Sequence, residues 1–182
     1  MKLLHLINLH GFGGAERLFI EYLKNSSFEN CVICSSNKIN KNILPELSEF
    51  KIIYANRIFN FLDIRYPTFI RKIFFNKKIK KMNADLIIVW DFIPKFFKKP
   101  TGNIVYYDHG CSWRYPINKK TLEFYSMVDC GIAASHASYR IMELRFNPTF
   151  PIHKVINRLP IKIKENTQKS LKKHVILGTA SK

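Results

Sequence analysis

A chain of 182 residues that is 47% apolar and 14% aromatic is long enough for one domain with a substantial core and too apolar to stay disordered. Its 30 Lys and Arg against 13 Asp and Glu leave a net charge of +17, an excess that attracts polyanions. No apolar run approaches the roughly 18 to 20 residues needed to cross a bilayer, and no small-residue cleavage site follows the first apolar segment, so a cytoplasmic protein is expected.

The chain opens on an apolar run from Leu3 to Leu9, breaks on Gly11, Gly13 and Gly14, and restarts with helical spacing over Ala15–Lys24. A strand, a glycine turn and a helix start in that order let backbone approach a ligand closely, and the first unpaired N–H groups of the helix favour a phosphate. The dinucleotide fingerprint G-x-G-x-x-G fails here. Gly11 and Gly13 fit it, but Glu16 stands at the third glycine position, and the next strand runs into Ser35 and Ser36 with no acid to hold a ribose hydroxyl.

Further strands are expected at Cys31–Ser35, Lys51–Tyr54, Asp85–Trp90, Asn103–Tyr107, Gly131–Ala134 and Lys154–Asn157. They alternate with helical patterns at Lys41–Phe50, Tyr66–Met82, Asn118–Met127 and His136–Phe146. Such alternation builds an α/β, Rossmann-like parallel sheet with helices on both faces. Cys31 and Cys34 point to opposite faces of their strand and lack a second Cys or His pair, so they read as buried thiols and no metal is expected.

The helix at Tyr66–Met82 gathers Phe69, Ile73, Phe74 and Ile79 near one face, with lysines around them. Two readings fit it: an interfacial helix on an anionic membrane, or a helix packed on the sheet by that same face. Ligands of open parallel sheets collect outside the carboxyl ends of the strands, which singles out His10–Glu16, Asp91, Asp108–Arg114 and Ser135–His136. Ser135 also reads as the N-cap of the helix that follows it.

Gly13, Gly14, Ala15, Glu16 and Arg17, at the first strand-to-helix turn, resemble the N-terminal domain of family 4 retaining glycosyltransferases (glycosyl transferases group 1), which have the GT-B fold. Three more segments resemble that family in the right order. Tyr106–Gly110 is similar to its strand-end histidine segment, Ile132–Ser138 to its strand-to-helix segment, and Val155–Ile161 to the stretch before its interdomain linker, with Arg158 and Leu159 inserted between Asn157 and Pro160.

On that resemblance, residues 1–161 are the acceptor-side domain and the N-terminal half of a GT-B fold. Residues 162–173 are a linker, and 174–182 are the first strand of a donor-side domain whose E-x₇-E motif lies outside this chain. The 182 residues alone are expected to be inactive. The resemblance implies transfer of a sugar from a nucleotide sugar with retention of configuration, and neither cofactor nor metal. It implies His109 as the catalytic residue that holds the transferring sugar, and Gly13, Gly14 and Lys182 as ligands of the donor's diphosphate. Glu16, Arg17, Asp91 and Arg114 fall to the acceptor.

The basic excess adds an expected acceptor: a bacterial surface glycan or lipid-linked precursor such as lipopolysaccharide core, met at the inner face of the cytoplasmic membrane by a peripheral protein. Two other classes stay open, a non-catalytic truncated binding domain and a basic α/β nucleic-acid-binding domain. For the second, no recognition-helix, RNP or zinc-finger pattern specifies a nucleic acid.

Overall fold

A computed structural model describes residues 1–11, 13–34, 39–54, 68–91, 94 and 98–156. Seven strands run through them: β1 (Lys2–Ile7), β2 (Glu29–Cys34), β3 (Ile52–Tyr54), β4 (Leu86–Trp90), β5 (Asn103–Asp108), β6 (Cys130–Ala133) and β7 (Ile152–Lys154). They form one parallel sheet in the order β3-β2-β1-β4-β5-β6-β7. Four α-helices accompany the described strands: α1 (Gly14–Asn25), α2 (Thr68–Met82), α3 (Lys119–Tyr125) and α4 (His136–Phe146). The fold is therefore the α/β, Rossmann-like class that the alternation of patterns predicts.

The strand order dictates where a ligand fits. The chain steps outward from β1 to β3, returns past β1 to β4, and then steps outward the other way to β7. Between β1 and β4 the winding reverses, so the loops leaving their carboxyl ends diverge and open a crevice.

Both faces of the sheet are covered. On one, Leu4, Leu6, Cys31, Ile33, Ile87, Val89, Ile104, Tyr106 and Ala133 pack with Ile79 of α2, Phe124 and Tyr125 of α3, and Met142 and Phe146 of α4. On the other, Ile7, Val32, Cys34, Trp90 and Tyr107 pack with Phe19, Ile20 and Leu23 of α1 and with Ile43 and Leu47. Cys31 and Cys34 thus go to opposite faces. Gly131 is required by close packing, since a Cβ there would stand 2.9 Å from Phe150 and 3.1 Å from Met142.

Helix ends follow from local chemistry. Asn118 caps α3 by accepting the Thr121 N–H, and Ser135 caps α4 by accepting the Ser138 N–H. α4 stops at Asn147, which takes the left-handed conformation at φ 40°.

Two expected elements differ. The helix expected at Lys41–Phe50 is a single 3-10 turn, Leu44–Leu47, because Pro45, midway along the expected span, lacks the N–H that an α-helix would use there, and the Ser48 hydroxyl already closes back on the Pro45 carbonyl. The last strand, expected at Lys154–Asn157, lies earlier at Ile152–Lys154. In α2, Ile79 is buried, with Phe75 and Met82 against the same core, so that stretch packs on the sheet; the side chains of Phe69 and Phe74 lie outside the described residues. The expected linker, the strand at 174–182, Lys182 and residues 157–161 also lie outside them.

Candidate functional site

The loop after β1 is organised around one carboxylate. Gly13 is the N-cap of α1 in extended conformation, and its N–H donates to Glu16 Oε2 at 2.8 Å. A Cβ on Gly11 would stand 2.9 Å from Glu16 Oε1, and one on Gly13 would stand 3.1 Å from Oε2. The glycines thus make room for the chain's own acid, which takes the place at the helix N-terminus that an anion favours. Gly14 opens the helix, with nothing within 4 Å of where a Cβ would be. Arg17 is exposed in the first turn, its backbone N–H bonded to the Gly13 carbonyl at 3.2 Å.

Across the crevice, β4 is followed by Asp91, which adopts φ 50°. Its N–H donates to the Tyr107 carbonyl, its Oδ1 accepts the His109 N–H, and its carbonyl accepts the Tyr115 hydroxyl. Burial pushes the Asp91 carboxyl up to about 7; Asp108 and Glu16 add to the rise, and the His109 N–H and Arg114 oppose it. At neutral pH this side chain is divided between its acid and its carboxylate.

His109 follows β5. Its ring lies parallel to Trp90, with centroids 5.6 Å apart and planes at 15°, and it meets Tyr107 edge-on at 4.4 Å. Burial lowers the His109 pKa against the pull of Asp108 and Glu16, so the imidazole is neutral at pH 7. Arg114 sits on the 3-10 turn Ser112–Arg114 with its guanidinium over the exposed Trp113 ring at 5.2 Å. Burial also raises the Cys111 thiol, to about 11, so the thiol is protonated.

Asp108 does different work from its neighbour. Fully buried, it accepts the N–H groups of Cys111 and Ser112 at 2.9 and 3.0 Å and the hydroxyl of Ser138. It holds the 3-10 turn and α4 to the end of β5, and so places the residue that follows it.

Glu16, Asp91, His109 and Arg114 are therefore brought together by the ends of β1, β4 and β5. The Glu16 and Asp91 carboxyls lie near the Arg114 guanidinium, and Asp108, buried on the other face, adds negative charge behind them. Carboxylates that accept and an imidazole that both donates and accepts suit a polyhydroxylated ligand. Among the described residues no cluster of His, Cys, Asp and Glu suits a metal.

Sequence reasoning missed the support beneath this crevice. His5, wholly buried in β1, accepts the Trp90 indole N–H at Nδ1 (3.2 Å) and donates from Nε2 to Asn30 Oδ1 (2.9 Å). Its one signal was a histidine placed among leucines in a buried strand.

The order of strands and the crevice at their reversal define a Rossmann-like α/β protein with a polar site at the carboxyl edge. No family model and no curated protein matches the chain. Among solved structures it is similar to HepE from Anabaena in complex with UDP, at 15% identity and a TM-score of 0.57 over 87% of this chain and 44% of HepE. It is similar as well to HepE in complex with UDP and glucose, at 17% identity and a TM-score of 0.55 over 87% of this chain and 45% of that one. The likeness is one of fold, and the chain spans less than half the length of the solved protein it matches.

Proposed function

We propose that this chain is the acceptor-side half of a glycosyltransferase that moves a sugar, with retention, from a nucleotide sugar to a bacterial surface glycan or lipid-linked acceptor such as lipopolysaccharide core. The observation that carries the reading is the meeting of the glycine loop, Asp91 and the stacked His109 at the reversal point of the sheet. It is supported by the four family-like segments, and by UDP and glucose bound to a protein of the same fold.

The chemistry asks for two things at once. As the sugar leaves its diphosphate, negative charge grows on the leaving group while the sugar becomes oxocarbenium-like. A neutral His109, held flat against Trp90, offers the sugar a hydrogen bond without adding positive charge beside a cationic ring. Asp91 and Glu16 accept hydroxyl hydrogens of the acceptor, with Arg17 and Arg114 for its anionic groups. Gly13 and Gly14 offer N–H groups to the diphosphate, which requires the Glu16 carboxylate to leave Gly13. Lys182 is assigned to the same diphosphate, and no cofactor takes part. The net charge of +17 favours an anionic surface as partner, at the inner face of the cytoplasmic membrane. No helix among the described residues is long and apolar enough to cross it.

The test is transfer of labelled sugar from a panel of nucleotide sugars to membrane glycolipids by the natural gene product that contains this chain. Transfer is expected, with a product anomer matching the donor, and His109→Ala should lower it by about 100-fold or more. Tight UDP binding without transfer to any acceptor would replace the reading with a binding domain.

A further inference from the structure

We propose that His5 is a positioning residue which, through Trp90, sets the plane of the His109 ring at the carboxyl edge of the sheet. His5 touches neither the crevice nor anything bound there. It acts along a chain of contacts that starts at the exposed amino-terminal end of the strands and becomes buried at His5 and Trp90. The Asn30 amide donates to the Phe28 carbonyl at 2.8 Å, Asn30 Oδ1 accepts from His5 Nε2 at 2.9 Å, and His5 Nδ1 accepts from Trp90 Nε1 at 3.2 Å. Trp90 then lies parallel to His109 at 5.6 Å.

Each link is directional. An indole N–H only donates, so His5 Nδ1 carries no proton, and the single imidazole proton stands on Nε2, where Asn30 receives it. The indole has one rotation in which its N–H reaches His5, and that rotation presents its flat face to His109. Phe19 meets Trp90 edge-on at 5.1 Å and Tyr107 meets it edge-on at 4.8 Å, which hold the ring without choosing where its N–H points.

A leucine at position 5 would fit the apolar strand but leave a buried indole N–H without its acceptor. Burial also pushes His5 down to about 4, so it is neutral and accepts from the indole at neutral pH. A buried, tautomer-locked histidine is costly for a strand core, and here it specifies the orientation of one aromatic ring.

The consequence for catalysis rests on the function proposed above, since only there does His109 meet a sugar; the geometric claim does not. The groups acting on His109 are Asp108 from β5 and Glu16 from α1, with Asp91, just after β4, accepting its backbone N–H and Tyr107 of β5 against its ring edge-on. None of these is altered by changing residue 5.

The test reads Trp90 emission against pH in the full chain, in a Trp113→Phe background so that one indole reports. A protonated imidazole stacked on an indole quenches it, so emission should fall as pH drops through the His109 transition, and His109→Gln should remove the step. His5→Leu should shrink the step to half or less, or move its midpoint by about 0.5 on the pH scale or more. His5→Asn, whose side-chain oxygen stands where Nδ1 does, should restore it.

A purely structural His5 would lower the melting temperature of His5→Leu and leave the step unchanged, which overturns the proposal. If His5→Leu does not fold, Asn30→Ala serves instead. It frees the His5 tautomer from the far end and should weaken the step in the same direction; an unchanged step overturns the proposal equally. If the transfer assay fails while these steps move, the function is wrong and the positioning stands. If transfer succeeds, His5→Leu should lower kcat about tenfold with little change in KM.

Discussion

One face of the sheet presents Leu4, Leu6, Ile87, Val89 and Tyr106 to three helices; the other, from the same strands, presents His5, Trp90, Tyr107 and then His109 to α1. The first face is an apolar core whose polar groups, the hydroxyls of Tyr106, Ser112 and Tyr125, bond among themselves. The second ends in an aromatic and imidazole stack that opens on a crevice. Because side chains alternate along a strand, a single residue step separates the two, and Asp108 and His109 show it: the former ties elements together and the latter stands at the site. The apolar face supplies stability, and the aromatic face converts it into a fixed ring orientation.

Breaking the apolar face should have the largest effect. Tyr106→Ala empties a site with no exposure and leaves the Ser112 hydroxyl with one partner fewer, so a loss of about 3 to 5 kcal/mol is expected in urea unfolding. Gly131→Ala should lose about 1 to 3 kcal/mol by the same measurement, because Phe150 and Met142 must move aside for one methyl.

On the other face the changes are smaller and depend on pH. The folded Asp91 carboxyl, at about 7, lies above its ordinary value of 3.8, so between these values the folded state binds more protons than the unfolded one. Its contribution to stability therefore falls as pH rises from about 4 to about 7. Asp91→Asn, which keeps an oxygen for the His109 N–H, should match the parent at pH 4 and exceed it at pH 8. The gain should be on the order of 2 kcal/mol after allowance for solvent screening, read from thermal unfolding at the two pH values. Glu16→Gln should change least, losing about 0.3 to 1 kcal/mol at the helix N-terminus. The same variant should bind inorganic pyrophosphate more tightly than the parent in calorimetry, since no carboxylate then competes for the loop.

The parallel sheet was legible because strands buried on both faces are continuous apolar runs, as from Leu86 to Trp90. α4 was legible to the residue, with Ser135 as its N-cap; the left-handed Asn147 that closes the other end was not read. Ile43 and Leu47 misled, since an i,i+4 apolar pair serves one buried turn as well as a long helix. Val155 and Ile156 misled in the opposite way: their apolarity suggested a strand, but they are 47% and 61% exposed, and β7 ends before them.

Asp91 and His109 could be placed at the carboxyl edge because each immediately follows a strand. The bond between His5 and Trp90 could not be read, because 85 residues separate the pair and only the strand register makes them neighbours. The direction in which Asp108 faces was hidden for the same reason. Charge was the least informative guide: the chain is basic, yet the groups that meet at this edge are the Glu16 and Asp91 carboxyls with His109 and Arg114.

The most direct measurement is a crystal structure of the natural gene product that contains this chain, soaked with a nucleotide sugar. The account predicts the sugar ring within hydrogen-bond reach of the His109 imidazole, the diphosphate near Gly13 and Gly14, and the Glu16 carboxylate turned away from the Gly13 N–H. A nucleotide sugar bound away from the carboxyl edge of β1, β4 and β5, with His109 untouched, would contradict it.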